Sequence, residues 1–237
     1  MKNLKVAGIS LIIGVSLGFI SCNNLPIIGN GDFITSERNI SSFEKIRSGG
    51  SADVRFRMSQ EYRVVITADS NLMEIVTTEV SGNTLRIGTK NGNYSFKKFQ
   101  VDVYCPVLTG ISISGSGSFN SDDKIITSVF ESNVSGSGNI SGTIECDNFS
   151  ADISGSGDMA IVGTGNDSNI KISGSGNFNG IEFKTNNVTA RISGSGDMSI
   201  WVLENINATV SGSGSIKYRG TPKINFNGSG SGKIRSE

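Results

Sequence analysis

No histidine occurs among the 237 residues. That removes Ser-His-Asp and Cys-His nucleophilic machinery together with His-based zinc sites. Serine is abundant, and it recurs as Ser-Gly-Ser-Gly beginning at Ser114, Ser135, Ser154, Ser173, Ser193, Ser211 and Ser229. Those serines do not match the Gly-x-Ser-x-Gly elbow that exposes a nucleophile on a strand-to-helix turn. Gly115-Ser116-Gly117 and its copies also lack the third glycine and following helix of a phosphate cradle.

Carboxylates are the remaining candidates. Asp158 and Asp197 each follow Gly-Ser-Gly, like the calcium-binding turns of secreted β-rolls, in which adjacent turns share each ion. A copy carrying Asn177 stands between them, so stacking would place the two about 9.6 Å apart. That is too far to share one ion at about 2.3–2.6 Å from each oxygen. Asp147, Asp152 and Asp158 could pair as in β-helix enzymes that cleave polysaccharides. Such enzymes grow long loops to wall a cleft, whereas successive copies here start 21, 19, 19, 20, 18 and 18 residues apart. The sequence therefore points to no catalytic residue, cofactor or metal site, with a polysaccharide-acting enzyme as the minor alternative.

A period near 19 defines the elements that carry these residues, because self-similarity of that length marks a solenoid whose repeats bury their apolar faces only by stacking. Residues two apart on a strand share a face. One place before each first Ser stand Ile113, Val134, Ile153, Ile172, Ile192 and Val210. Three places before stand Ile111, Ala151, Ile170, Ala190, Ala208 and Phe226, with Ser132 polar, and five before stand Phe130, Phe149, Val188, Ile206 and Ile224. This is a strand running into the corner. A second strand leaves it through Phe119, Ile140, Met159, Phe178, Met198, Ile216 and Ile234. Between the two, the fourth place after the first Ser is always polar: Ser118, Asn139, Asp158, Asn177, Asp197, Ser215 and Lys233. These form the candidate contact ladder. The predicted fold is all-β, a single-stranded parallel β-helix of about 18–21 residues per coil, regular over 111–237, with its handedness not readable from the pattern.

Residues 1–21 read as a secretory signal, with Lys2 and Lys5 ahead of an apolar run from Val6 to Ile20 that is short for a membrane span. Phe19-Ile20-Ser21-Cys22 resembles a bacterial lipobox, departing from it with Phe and Ile before Ser21. Cys22 is thus the expected lipidation site and membrane anchor, an ordinary signal peptide being the alternative, and 22–31 a tether. Removing Lys2 and Lys5 leaves 19 basic against 21 acidic residues. With no basic run, nucleic acid is not an expected partner. Cys105 and Cys146 fall two coils apart if their columns align, beyond the usual disulfide reach of about 7 Å, and are expected as free, buried thiols. Residues 32–110 alternate as strands too, with one possible helical turn at 71–78. They read as irregular coils that cap the stack, a separate small β-sandwich being the alternative.

Taken together, Ile40-Ser41-Ser42-Phe43-Glu44-Lys45-Ile46, the run Val101-Asp102-Val103-Tyr104-Cys105-Pro106-Val107-Leu108-Thr109-Gly110-Ile111, the recurring Ser-Gly-Ser-Gly-(Asn/Asp/Ser) and Tyr218-Arg219-Gly220-Thr221-Pro222 resemble a family. It is that of secreted or lipid-anchored bacterial proteins called putative autotransporter adhesin, head GIN domain, and the likeness covers about 33–225. The resemblance implies a right-handed parallel β-helix in a bacterial envelope and brings no catalytic residues. Two functions emerge as expectations. One is an adhesin-like module on an outer-membrane lipoprotein, binding a glycan or protein ligand through the ladder or through Tyr94, Tyr104 and Trp201. The other is a structural envelope protein with no ligand.

Overall fold

The computed structural model describes residues 25–237. Within them every regular element is a strand except the short 3-10 turn Met73–Ile75, which falls inside the stretch expected to turn helically. The chain winds as a parallel β-solenoid of about seven turns. All seven corner serines superimpose, with Ser114 paired to Ser135, and Ser135, Ser154, Ser173, Ser193, Ser211 and Ser229 paired in succession. Sequence period thus becomes spatial register. The column from Ile113 to Val210 is fully buried, as are Phe130, Phe149, Val188 and Ile206. Each such aliphatic side chain contributes on the order of 1.5–3 kcal/mol of burial.

Ser132, Ser168 and Thr185 enter this core as buried polar residues, and all three are satisfied. Ser132 donates from Oγ to the carbonyl of Ser150, and Ser168 pairs with Thr185 at 3.1 Å between hydroxyl oxygens. The coil between Ser173 and Ser193 is longer than its neighbours, and the excess is absorbed as a register shift between Gly180 and Lys184. That shift turns Phe183 inward, where its ring centroid lies 5.0 Å from that of Phe149.

The two glycines of a corner serve different needs. Gly174 has φ of +130°, a conformation closed to side-chain-bearing residues. At Gly176 a Cβ would stand 2.1 Å from the carbonyl oxygen of Gly157 in the preceding coil, so there is no room for one.

The stack continues below the first Ser-Gly-Ser-Gly. Gly115 pairs with Gly50 and Ser118 with Asp53, so Gly50-Ser51-Ala52-Asp53 forms a further corner with Ala52 in place of the second glycine. Beneath it Thr84–Thr89 and Phe99–Cys105 still pair in parallel with Lys45–Gly50 and Asp53–Met58, and beyond them the order becomes antiparallel: Arg63–Asp69 lies between Phe33–Arg38 and Phe99–Cys105, and Val76–Ser81 pairs with Thr84–Thr89. One continuous core runs through cap and coils.

Within the segment read as a tether, Ile27–Ile28 pairs in parallel with Tyr94–Ser95. Asp69, fully buried, fastens the end of that segment to the cap: its carboxylate accepts the N–H groups of Gly31, Lys97 and Lys98 at 2.8–3.1 Å. Burial alone would push this carboxyl up, but those donors outweigh it and hold the pKa below the usual Asp value. Signal residues and Cys22 lie outside the described residues.

Cys105 and Cys146 are both free and buried. They do not share a column, as the spacing suggested: Cys105 stands opposite Met58, whereas Cys146 stands opposite Thr127. Strands Asp53–Met58 and Ser118–Ser121 lie between the strands that carry them. Burial drives the thiol of Cys105 up to about 12 and that of Cys146 to about 11, so neither is a nucleophile at neutral pH.

At the carboxyl end Lys223–Gly230 has a neighbour on one side only, and Ile224 and Phe226 are exposed by 40% and 36%.

Candidate functional site: a polar ladder and an amide-lined groove

The seven ladder residues come after seven superimposed corners, and Asp53 extends them by one rung toward the amino terminus. Their oxygens bond along the stack. The side-chain oxygen of Asn139 accepts the backbone N–H of Asp158 at 3.1 Å, Asp158 Oδ1 accepts that of Asn177 at 2.9 Å, Asn177 Oδ1 that of Asp197 at 3.0 Å, and Asp197 Oδ1 that of Ser215 at 2.8 Å. At the lower end Ser118 Oγ donates to Asp53 Oδ1 at 2.6 Å. These backbone donors sit in the corner, where the regular strand pairing is interrupted. The ladder therefore completes the backbone hydrogen bonding of its own turn.

The other candidates are dispersed. Asp158 lies on the ladder, Asp152 on the inbound strand before the corner opposite Asn133 and Lys171, and Asp147 at the second corner beside Asn166. The fold does not gather them as a carboxylate pair. Among the described residues no three His, Cys, Asp or Glu side chains cluster as a metal site. The aromatic candidates are half-buried, and two are covered: Arg63 lies 4.0 Å from the Tyr104 ring centroid, and Arg219 and Lys184 lie 4.7 and 5.6 Å from that of Trp201.

A feature not anticipated from the serine repeats lies on the inbound strands, just past the second corner of each coil. There the outward residues flank a groove of about 380 Å³ crossing five successive coils, from Val129 and Glu131 to Asn205 and Asn207. One wall is Asn148, Asp167, Asn187 and Asn205, joined by Asn187 Nδ2 to Asp167 Oδ1 at 2.9 Å and Asn205 Nδ2 to Asn187 Oδ1 at 2.8 Å. The other is Glu131, Ser150, Asn169, Thr189 and Asn207, over a floor formed by Phe149, Ser168 and Val188. Asn169 Oδ1 is buried with no hydrogen-bond partner among the described residues. The lining contains two carboxylates and no cation, and Glu131 is held at one end by Lys45 Nζ at 2.7 Å. The signal was present in the sequence: the sixth and fourth places before each first Ser are rich in Asn, Asp, Ser and Thr.

A sequence model of the family described as putative auto-transporter adhesin, head GIN domain, matches residues 42–222. The chain belongs to this family. Solved structures of other chains share the same fold. A protein described as a putative adhesin from Bacteroides fragilis is 27% identical, with a TM-score of 0.84 over 89% of this chain and 100% of that one. A protein described as a putative lipid binding protein from Parabacteroides distasonis is also 27% identical, with a TM-score of 0.75 over 90% and 100%. A further putative adhesin, from Parabacteroides merdae, is 23% identical with a TM-score of 0.72 over 89% and 98%. No curated protein matches this GIN-domain chain.

Proposed function

We propose that this chain is a non-catalytic, adhesin-like module of a bacterial envelope lipoprotein, tethered to the outer membrane through Cys22 and binding a glycan or protein ligand with its rigid polar faces. The observation that carries the reading is the unbroken stack of near-equal coils. It repeats polar side chains at one-rung spacing over a long surface, with no long loop closing over a reaction site. Family membership and the descriptions of the structural relatives support the adhesin-like part. The signal-like segment and its Cys22 support the anchor. In this reading the ladder from Ser118 to Lys233 is one edge of the contact surface.

A second reading, a structural envelope protein without a ligand, is favoured by the inward use of the ladder oxygens. Protease accessibility and ligand binding separate them, and a third measurement tests the anchor. Protease added to intact cells should remove the protein, and Cys22→Ser should release it from the membrane fraction. Purified full chain should then bind a defined subset of a glycan and matrix-protein array. Resistance to protease together with a blank array would overturn the adhesin-like reading in favour of the structural one.

A further inference from the structure

We propose that the groove past the second corner binds an extended, uncharged glycan chain running along the solenoid axis, in register with the coils. This rests on the adhesin-like reading and assigns it a site and a ligand class. Successive coils repeat at about 4.8 Å, close to the advance of an extended pyranose chain per sugar unit. Five coils line the groove, so the surface offers the same kind of contact about five times over. The contacts suit vicinal hydroxyls and acetamido groups: amide and hydroxyl side chains of Asn148, Ser150, Asn169, Thr189 and Asn207 line the walls. Asn169 Oδ1 has no protein partner, so turning the Asn169 amide toward the groove to accept a sugar hydroxyl or amide N–H would break no protein hydrogen bond at that oxygen.

Charge selects among glycans. With Asp167 in the lining, Glu131 already paired with Lys45, and no Lys or Arg among the lining residues, an anionic chain finds no free cation to pair with. A peptide is disfavoured for another reason, since a strand-like ligand binds by adding to a free sheet edge. Here the backbone of each inner coil is already paired on both sides. The groove has no exposed aromatic platform, so each rung contributes modestly and affinity must accumulate along the chain.

The test is calorimetric titration of the full chain, purified in detergent, with β-1,4-linked N-acetylglucosamine oligomers from dimer to hexamer, and with galacturonate oligomers as the anionic comparison. Affinity should rise about tenfold or more from dimer to pentamer and level off once the rungs are filled. Ser150→Trp, which fills the groove, should abolish hexamer binding, and Asn169→Ala should weaken it severalfold, while Glu79→Ala on the cap, away from groove and ladder, leaves it unchanged. Thr189→Trp repeats the blockade should Ser150→Trp fail to fold. The groove assignment is overturned by no hexamer binding, by galacturonate binding as tightly, or by tight binding that survives Ser150→Trp and Thr189→Trp. If binding instead disappears with Asn177→Ala alone, the adhesin-like reading stands and only the groove falls.

Discussion

At the scale of single residues, the most consequential side chain is one that carries no chemistry. Asp69 is a buried carboxylate whose net interactions favour its charged form, because three backbone donors converge on two oxygens. Gly29 lies against it so closely that a Cβ there would overlap the carboxylate. The folded carboxyl titrates below its unfolded value of 3.8. The linkage therefore has a definite sign: the stabilisation is fully present above that value and is lost as the pH falls through the lower folded one. Asp69→Asn keeps the shape but turns an N–H₂ toward backbone donors. It should cost about 2–4 kcal/mol at neutral pH and flatten the acid limb of the stability curve. Denaturant unfolding of both proteins from neutral to strongly acidic pH measures this, and parallel acid limbs would contradict the assignment. Neither the partners nor the burial of Asp69 was legible in the sequence, because they come from three segments brought together only by the cap.

At the scale of elements, the ladder and the corner act as one unit. Replacing Asn177 with Asp keeps the acceptor for the N–H of Asp197 but removes the donor to Asp158, and stacks three carboxylates in successive coils. Asn177→Asp should lower the melting temperature and regain much of the loss in high salt, since repulsion between exposed charges is screened. Asn177→Ala should lose about 1–2 kcal/mol with little salt dependence; equal salt responses of the two variants would show that the ladder oxygens do not act electrostatically. The elements themselves were readable because inward and outward positions alternate through successive copies, the last excepted, where Lys223–Gly230 is exposed throughout. The first corner is hidden in the sequence because Ser48 stands where later copies have Ile or Val, Gly49 where they have the first Ser, and Ala52 where they have the second glycine. Spacing misplaces Cys105 for a related reason. Counting back from Ser114 assumes one continuous inbound strand, but the chain between Cys105 and Gly110 turns from the outbound stack into the inbound one. The groove is hard to read because the outward columns of the inbound strand are polar without being uniform.

At the scale of the whole molecule, the two ends are unequal. The amino end is closed by antiparallel strands, while the last coil packs on one neighbour and leaves Ile224 and Phe226 partly exposed. In a stack where each coil contacts only its neighbours, opening is easiest at the less covered end. Native-state hydrogen exchange should therefore be fastest over 223–237 and slow progressively toward Ile113 and Val134; uniform protection along the axis would show that the terminal coil is as firmly held as the rest. The strap of Ile27–Ile28 gives this asymmetry a mechanical meaning. A pull on the amino terminus meets that strap's pairing and the Asp69 clasp before it reaches the antiparallel strand Phe33–Arg38. The coils bearing the amide groove lie beyond that junction along the chain, so a force between a held amino end and a ligand in the groove crosses the cap before it reaches them.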